Sequence, residues 1–257
     1  MSLEEIEQEI CRDGWESEIA CHFQPIVDRQ GGIAAFEVLA RWYHPEYGLI
    51  PSPAFIAVAE QSGSIVALGK RMLFEACRIC RTWNRDGGYI GVAVNLSAVQ
   101  LVHENLPEVV CRSLEVSGLD PDLLTLELTE TALVRDMEFA SRQLTRLHDL
   151  GVRIALDDFG TGYSSLAYLA SLPADTIKLD RRFIHNDSAR SAIVVQGIVE
   201  LAHKLDLQVV AEGVETEAQA RRFLDLGCDQ MQGRYVGAPQ PLEQVLQLIA
   251  DLRAPTP

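Results

Sequence analysis

The chain has 257 residues, 47% apolar and 23% charged, which fits a globular protein with a real core and not a disordered, collagen-like or coiled-coil chain. Lys plus Arg number 22 against 37 Asp plus Glu, a formal charge of −15, so the long-range field repels phosphates and a surface that grips DNA or RNA polymers is not expected. No apolar run approaches the ~20 residues of a membrane span, and the acidic start MSLEEIEQEI is unlike a signal peptide, so a cytoplasmic protein without membrane contact is expected.

Residues 1–19 read as a helical lead-in. ACHFQPIVD from Ala20 and GIAAFEVLARW from Gly32 read as strands. The linker DRQGG between them is too short for a parallel crossover, so an antiparallel hairpin is expected. SIVALGKRMLFEACRICRTW from Ser64 has helical apolar spacing. It contains a CxxC, Cys77 and Cys80, but no second CxxC or nearby His completes a zinc site, and the six cysteines are expected to be ordinary thiols.

Beyond it, strands are expected at YIGVAVNLSA from Tyr89, LLTLELTET from Leu123, VRIALDDFG from Val152, DTIKLD from Asp175, LQVVAEGVE from Leu207 and DQMQGRYVG from Asp229. Helical stretches are interleaved at MEFASRQLTRLHDL from Met137, SARSAIVVQGIVELAHKL from Ser188, TEAQARRFLDLG from Thr216 and PLEQVLQLIADL from Pro241. Apolar strands separated by helices imply a parallel sheet covered by helices, and eight strands in ~250 residues is the size of a closed barrel. The expected fold is α/β, a TIM-like (β/α)8 barrel with an irregular, antiparallel first strand, as one domain over 1–257.

Nearly every strand ends on an acid, amide or amine: Glu37, Asn95, Glu127, Asp157 with Asp158, Lys178, Glu212 and Gln232. A parallel barrel gathers these ends at one rim, where catalytic residues sit. A single strand-end acid can simply cap the next helix, but that explanation weakens when seven strands share the feature. Five carboxylates are offset within the set only by Lys178. Like charges ~4 Å apart repel by about 4 kcal/mol at an effective dielectric near 20, so the rim must take up protons or cations. Carboxylates plus an amide oxygen, without His or Cys, suit Mg²⁺ or Mn²⁺. The adjacent Asp157 and Asp158 can serve two ions, the layout for phosphodiester hydrolysis.

Lys178 can be read as a Schiff-base amine, as an ammonium that orients water, or as a plain ion-pair partner. DDFGTGYSS from Asp157 lacks the GK[ST] of a P-loop and the GxGxxG of a dinucleotide site. It is read as a mobile loop beside the site, with Gly160 and Gly162 as hinges.

FQPIVD at Phe23, FEVLARWYHPEYG at Phe36, FIAVAEQSG at Phe55, VNLSAVQL at Val94, LELTET at Leu126, DDFGTGYSSLAYLASLPADTIKLD at Asp157, VVAEGVET at Val209 and QGRYVGAPQP at Gln232 run in the order and spacing of a known family. From about Phe23 to Leu248 the chain resembles the EAL-type cyclic di-GMP phosphodiesterases. The resemblance implies a barrel with one antiparallel strand and hydrolysis of cyclic di-GMP to linear pGpG with two Mg²⁺ or Mn²⁺ ions; Ca²⁺, with its longer and looser coordination, is expected to inhibit.

It further implies that Glu37, Asn95, Glu127 and Asp157 ligate one metal and that Asp157, Asp158 and Glu212 ligate the other. Lys178 then partners the attacking water, with Gln232 near it. Arg41 matches a substrate-phosphate contact, Gln24 a contact near a guanine, and Glu130 the acid that anchors the loop from Asp158 to Ser165. That loop lies beside a dimer interface in the family, so a homodimer is expected. Three positions depart from the pattern: Val38 for alanine, prolines at 51 and 53 around Ser52, and Arg234 for an aromatic in the last barrel strand. The nearest rival is a module that binds cyclic di-GMP without cutting it. A protein-interaction domain would usually have lost the acids, and a metal-dependent lyase does not fit the motif set.

Overall fold

The computed structural model describes residues 2–12, 14–85, 87–103, 105–133, 137–160 and 169–253. Among the described residues ten strands are present: β1 Ile19–Asp28, β2 Ile33–His44, β3 Gly48–Ile50, β4 Gly91–Asn95, β5 Leu124–Thr129, β6 Arg153–Phe159, β7 Thr176–Leu179, β8 Gln208–Ala211, β9 Gln230–Gln232 and β10 Gln240–Pro241. Eight of them close a ring in the order β1-β2-β4-β5-β6-β7-β8-β9, with β9 pairing back to β1. β1 runs antiparallel to β2 and to β9, and the remaining ring pairs are parallel. The expected barrel and its inverted first strand are both there.

The hairpin is closed by its own linker. Asp28 Oδ1 accepts the amides of Gln30 and Gly32, each at 2.8 Å, while Gly31 takes φ +83°, a conformation that glycine adopts without a Cβ penalty. Two short strands lie outside the ring and were not anticipated: β3 extends the far end of β2, and β10 pairs with β1. At three and two residues they are too short to carry a periodic pattern. Expected strands also end early. The last one stops at Gln232, so Arg234 lies past the strand and not within it. At Gly233 (φ +153°) a Cβ would collide with the Val214 backbone, so only glycine fits this close approach just past the strand.

The main apolar core fills the space between barrel and helices. Helix Ile65–Trp83 turns Leu68, Met72, Ala76, Cys77, Cys80 and Trp83 into it. Burial pushes the thiols of Cys77, Cys80 and Cys228 up to about 12 and that of Cys21 to about 11. Since the thiolate is the nucleophile, iodoacetamide at pH ~8 will modify the native protein at exposed Cys11 and more slowly at half-buried Cys111, with the other four reacting only after unfolding. Peptide mass spectrometry reads this out, and native-state labelling of Cys77 or Cys80 at the rate of Cys11 would contradict the packing.

Inside the ring the filling is sparse. Ile26, Ala35, Ala93, Thr125, Ala155, Thr176, Val210 and Gln230, one from each ring strand, border a cavity of about 180 Å³. Such layers are usually built from bulky Val, Ile and Leu. Side chains alternate along a strand, so two residues further toward the same end of the barrel the inward positions are Gln24, Glu37, Asn95, Glu127, Asp157, Lys178, Glu212 and Gln232. The polar rim is the next inward layer of the barrel. Among the described residues no helix is long and apolar enough to cross a membrane.

Candidate active site

At the centre of the rim is Lys178, which is 1% exposed. Its ammonium lies 2.8 Å from Glu127 Oε2, 2.7 Å from Glu212 Oε1, 3.6 Å from Asp157 Oδ1 and 3.9 Å from Glu37 Oε2. Burial opposes its charge, but the four carboxylates outweigh that cost and hold its pKa well above the ordinary lysine value. The Schiff-base reading needs a free amine and is disfavoured. Burial, only partly offset by Lys178, pushes Glu127 well above the usual carboxylate range and Glu212 up to about 8.

Asp157 and Asp158 are consecutive, and in a regular strand they would face opposite sides of the sheet. The register of β6 against β7 breaks between Leu156 and Phe159, and Asp158 adopts φ +53°. This bulge brings both carboxylates together with Glu212: one oxygen from each of the three lies within 4.8 Å of the others. Asp158 is raised by burial first, then by Asp157 and Asp180. Among the described residues no other three His, Cys, Asp or Glu side chains converge so closely. The three residues expected to share the second metal thus lie together, whereas Glu37, Glu127 and Asp157 are gathered around the Lys178 ammonium.

The amides complete the ring. Asn95 Nδ2 donates to Glu37 Oε1 at 2.6 Å, and Gln232 Nε2 donates to the other oxygen of Glu37. Gln232 Nε2 also reaches Gln24 Oε1 at 3.3 Å, while Gln24 donates to the Gly237 carbonyl at 3.1 Å. Glu37 is not at a strand end, because β2 continues to His44 and leaves the barrel at the rim to pair with β3. Glu212 stands one residue past β8. Glu130 is 4% exposed at the start of helix Glu130–Leu133 and accepts the Gly160 amide at 3.2 Å. The remainder of the expected mobile loop, including Gly162 and Ser165, falls within 161–168, outside the described residues.

Beside the rim opens a cavity of about 940 Å³, within the range that holds a ligand of nucleotide size. Glu37, Asn95, Arg41 and helix Ser52–Ser62 are among its lining. Arg41 Nη1 donates to the Ala40 carbonyl at 3.0 Å and to Ser52 Oγ at 3.2 Å, and Ser52 donates to Ala40 at 2.8 Å. Pro51 caps that helix and Pro53 lies in its first turn, flanking the Ser52 that meets Arg41. Val38 is buried against the core on the face of β2 opposite Glu37. Arg234 is 75% exposed and pairs with Glu215 at 2.8 Å. The sequence reading missed Ser52, Glu60 and Ser97 on this cavity, where Ser97 donates to Glu60 at 2.6 Å. The available signal was the helical spacing of the residues on the cavity wall.

The donor set fits divalent cations on the evidence of its own chemistry. Five carboxylates share one lysine, three of them (Glu127, Asp158 and Glu212) carry raised pKa values, and the buried Gln232 Oε1 has no hydrogen-bond partner among the described residues. A cation displaces the protons that otherwise neutralise such a cluster.

The fold and the site together define an α/β barrel protein with an acidic rim at one end and a ligand-sized cavity beside it. The chain belongs to the EAL domain family, whose model matches residues 5–239. It is 44% identical over 238 residues to the bifunctional diguanylate cyclase/cyclic di-GMP phosphodiesterase MucR of Pseudomonas aeruginosa, covering 91% of this chain and 35% of that protein. The chain thus spans about a third of the curated relatives it matches. Among solved structures, the PaMucR phosphodiesterase in complex with c-di-GMP superposes with a TM-score of 0.89 at 41% identity, over 94% of this chain and 99% of that one. The EAL enzyme Bd1971 with cAMP and cyclic di-GMP gives 0.90 at 30% identity, over 96% and 69%.

Proposed function

We propose that this chain hydrolyses cyclic di-GMP to linear pGpG with two divalent cations, Mg²⁺ or Mn²⁺. The observation that carries this reading is the rim itself: all eight inward positions of one barrel layer hold an acid, amide or amine, beside a cavity that contains an arginine. Glu37, Asn95, Glu127 and Asp157 would hold one ion, and Asp157, Asp158 and Glu212 the other. When bound, the ions supply an ionised water and neutralise charge on the scissile phosphate.

The chain's own groups do the rest. Lys178 orients the attacking water and counters charge as the new P–O bond forms and the bond to the 3′ oxygen breaks, and that oxygen leaves with a proton drawn from solvent, matching the one the attacking water gives up. Gln232 Oε1 accepts a hydrogen bond from the same water. Arg41 meets a substrate phosphate, and Gln24 the edge of a guanine. Glu130 anchors the loop that follows Asp158, and a homodimer with its contact beside that loop is part of the proposal.

Purified protein incubated with cyclic di-GMP, with products separated by chromatography, tests the reading. Turnover is expected in Mg²⁺ or Mn²⁺, none in chelator, and little in Ca²⁺, whose looser coordination near ~2.4 Å holds reactants less closely than the ~2.1 Å octahedron of Mg²⁺. Equal activity in Ca²⁺ or full activity in chelator defeats the two-metal proposal. Tight binding without product in Mg²⁺ and Mn²⁺ makes the protein a receptor.

A further inference from the structure

The cavity wall beside the rim is held from behind by the N-terminal segment. Helix Ser52–Ser62 presents Pro53, Ile56, Ala57, Glu60 and Gln61 to the cavity, one face at i, i+3, i+4, i+7, i+8 spacing. Its opposite face buries Phe55, Val58 and Ala59, and helix Leu3–Ile10 packs against this helix with Ile6 and Ile10 buried. Phe55 meets Trp42 edge to face at 5.6 Å between centroids, and Trp42 meets Trp15 in the same way at 5.3 Å. All three rings are at most 2% exposed.

Polar contacts fasten the same segment to β2. Trp42 Nε1 donates to Glu18 Oε2 at 2.9 Å, and Arg12 bridges Glu18 to Glu9, which it meets at 2.8 Å. Glu9 in turn approaches His44 Nε2 at 3.4 Å. The imidazole's other nitrogen accepts the amides of Glu46 and Tyr47, so Nε2 carries the proton that faces Glu9. Trp42 and Arg41 are neighbours in β2 and point to opposite faces, the first to this support and the second to the cavity.

We propose that the N-terminal segment acts as a prop for the cavity wall, with Trp15 as a positioning residue. Trp15 does not border the cavity. Through Trp42 and Phe55 it sets how closely helix Ser52–Ser62 approaches β2, and so where Arg41 and Ser52 stand. The part of this inference that concerns substrate rests on the proposed binding of cyclic di-GMP in the cavity.

The test compares Trp15→Ala, Trp15→Phe and Arg12→Ala with wild type. A large-to-small change in a packed core leaves a void that neighbours only partly fill, so in Trp15→Ala the amides of helix Ser52–Ser62 will exchange hydrogen ~10-fold faster than in wild type. KM for cyclic di-GMP, and its Kd in Ca²⁺, will rise ~10-fold while kcat stays within ~2-fold and the Mg²⁺ dependence is unchanged, the pattern of lost uniform binding. Trp15→Phe should retain near-wild-type KM. Arg12→Ala, which unties an exposed clamp without opening the core, should shift exchange and KM ~3-fold in the same direction and carries the test if Trp15→Ala does not fold.

Unchanged exchange in this helix in folded variants overturns the prop. Faster exchange with unchanged KM and Kd, or a fall in kcat that accounts for the whole loss, overturns the positioning role. A wild type that neither binds nor cuts cyclic di-GMP defeats the proposed function instead, and the exchange comparison in the ligand-free protein still decides whether the prop exists.

Discussion

Asp157→Ala will lower kcat for cyclic di-GMP by ~10³-fold or more, as removal of a member of a catalytic unit does, while the metal-free protein will melt at the same or a higher temperature than wild type. The two effects have one cause. Asp157 is the carboxylate proposed to serve both cations, and no neighbour can replace it, because Asp158 occupies the bulge and Glu127 is tied to Lys178. In the metal-free protein it is also one more carboxylate in a crowded acidic cluster. Among the described residues its one cationic neighbour is Lys178 at 3.6 Å, and that ammonium already has closer partners. Like charges at such spacing repel by about 4 kcal/mol at an effective dielectric near 20, so deletion relieves repulsion even as it removes a ligand. Steady-state kinetics across Mg²⁺ concentrations, with melting curves in chelator and in Mg²⁺, separate these effects. Wild-type turnover at saturating Mg²⁺ would show that Asp157 is dispensable.

Lys178→Ala is expected to carry the opposite stability sign. The ammonium pairs with buried Glu127 and Glu212 at 2.8 and 2.7 Å. Removing one partner of a buried ion pair commonly costs 3–5 kcal/mol, and protonation of Glu127 and Glu212 will absorb part of the cost. The chelated variant should therefore melt several degrees below wild type and recover much of that loss when a divalent cation is added, because the cation takes over the compensation of charge. Single-turnover chemistry should fall by ~10²–10³-fold while nucleotide affinity changes only a few-fold, since the proposed work of Lys178 is on the transition state. Lost affinity with normal single-turnover chemistry would assign Lys178 to binding instead.

The contrast between these two neighbours shows what can be read from a sequence and what cannot. The alternation of strands and helices, the hairpin required by DRQGG and the polar residue at each strand end are local patterns. Each depends only on the 2.0 and 3.6 residue periods and on how far a short linker reaches. From them the amino-acid order determined the barrel class, its inverted first strand and seven of the eight rim positions, Gln24 entering only through the resemblance, and the motif run from Asp157 pointed to the family.

The tertiary structure decided how those residues meet. The bulge that turns consecutive Asp157 and Asp158 to one side arises where β6 loses register with β7, which no single-strand pattern encodes. The strand containing Glu37 runs past the rim because β3, only three residues long, is there to pair with it. Lys178 became the centre of four carboxylates only when strands distant in sequence closed into a ring. The cavity wall and the Trp15–Trp42–Phe55 stack likewise join an N-terminal turn, a barrel strand and a helix. Contacts of this kind are set by the packing of the whole core and not by any local propensity.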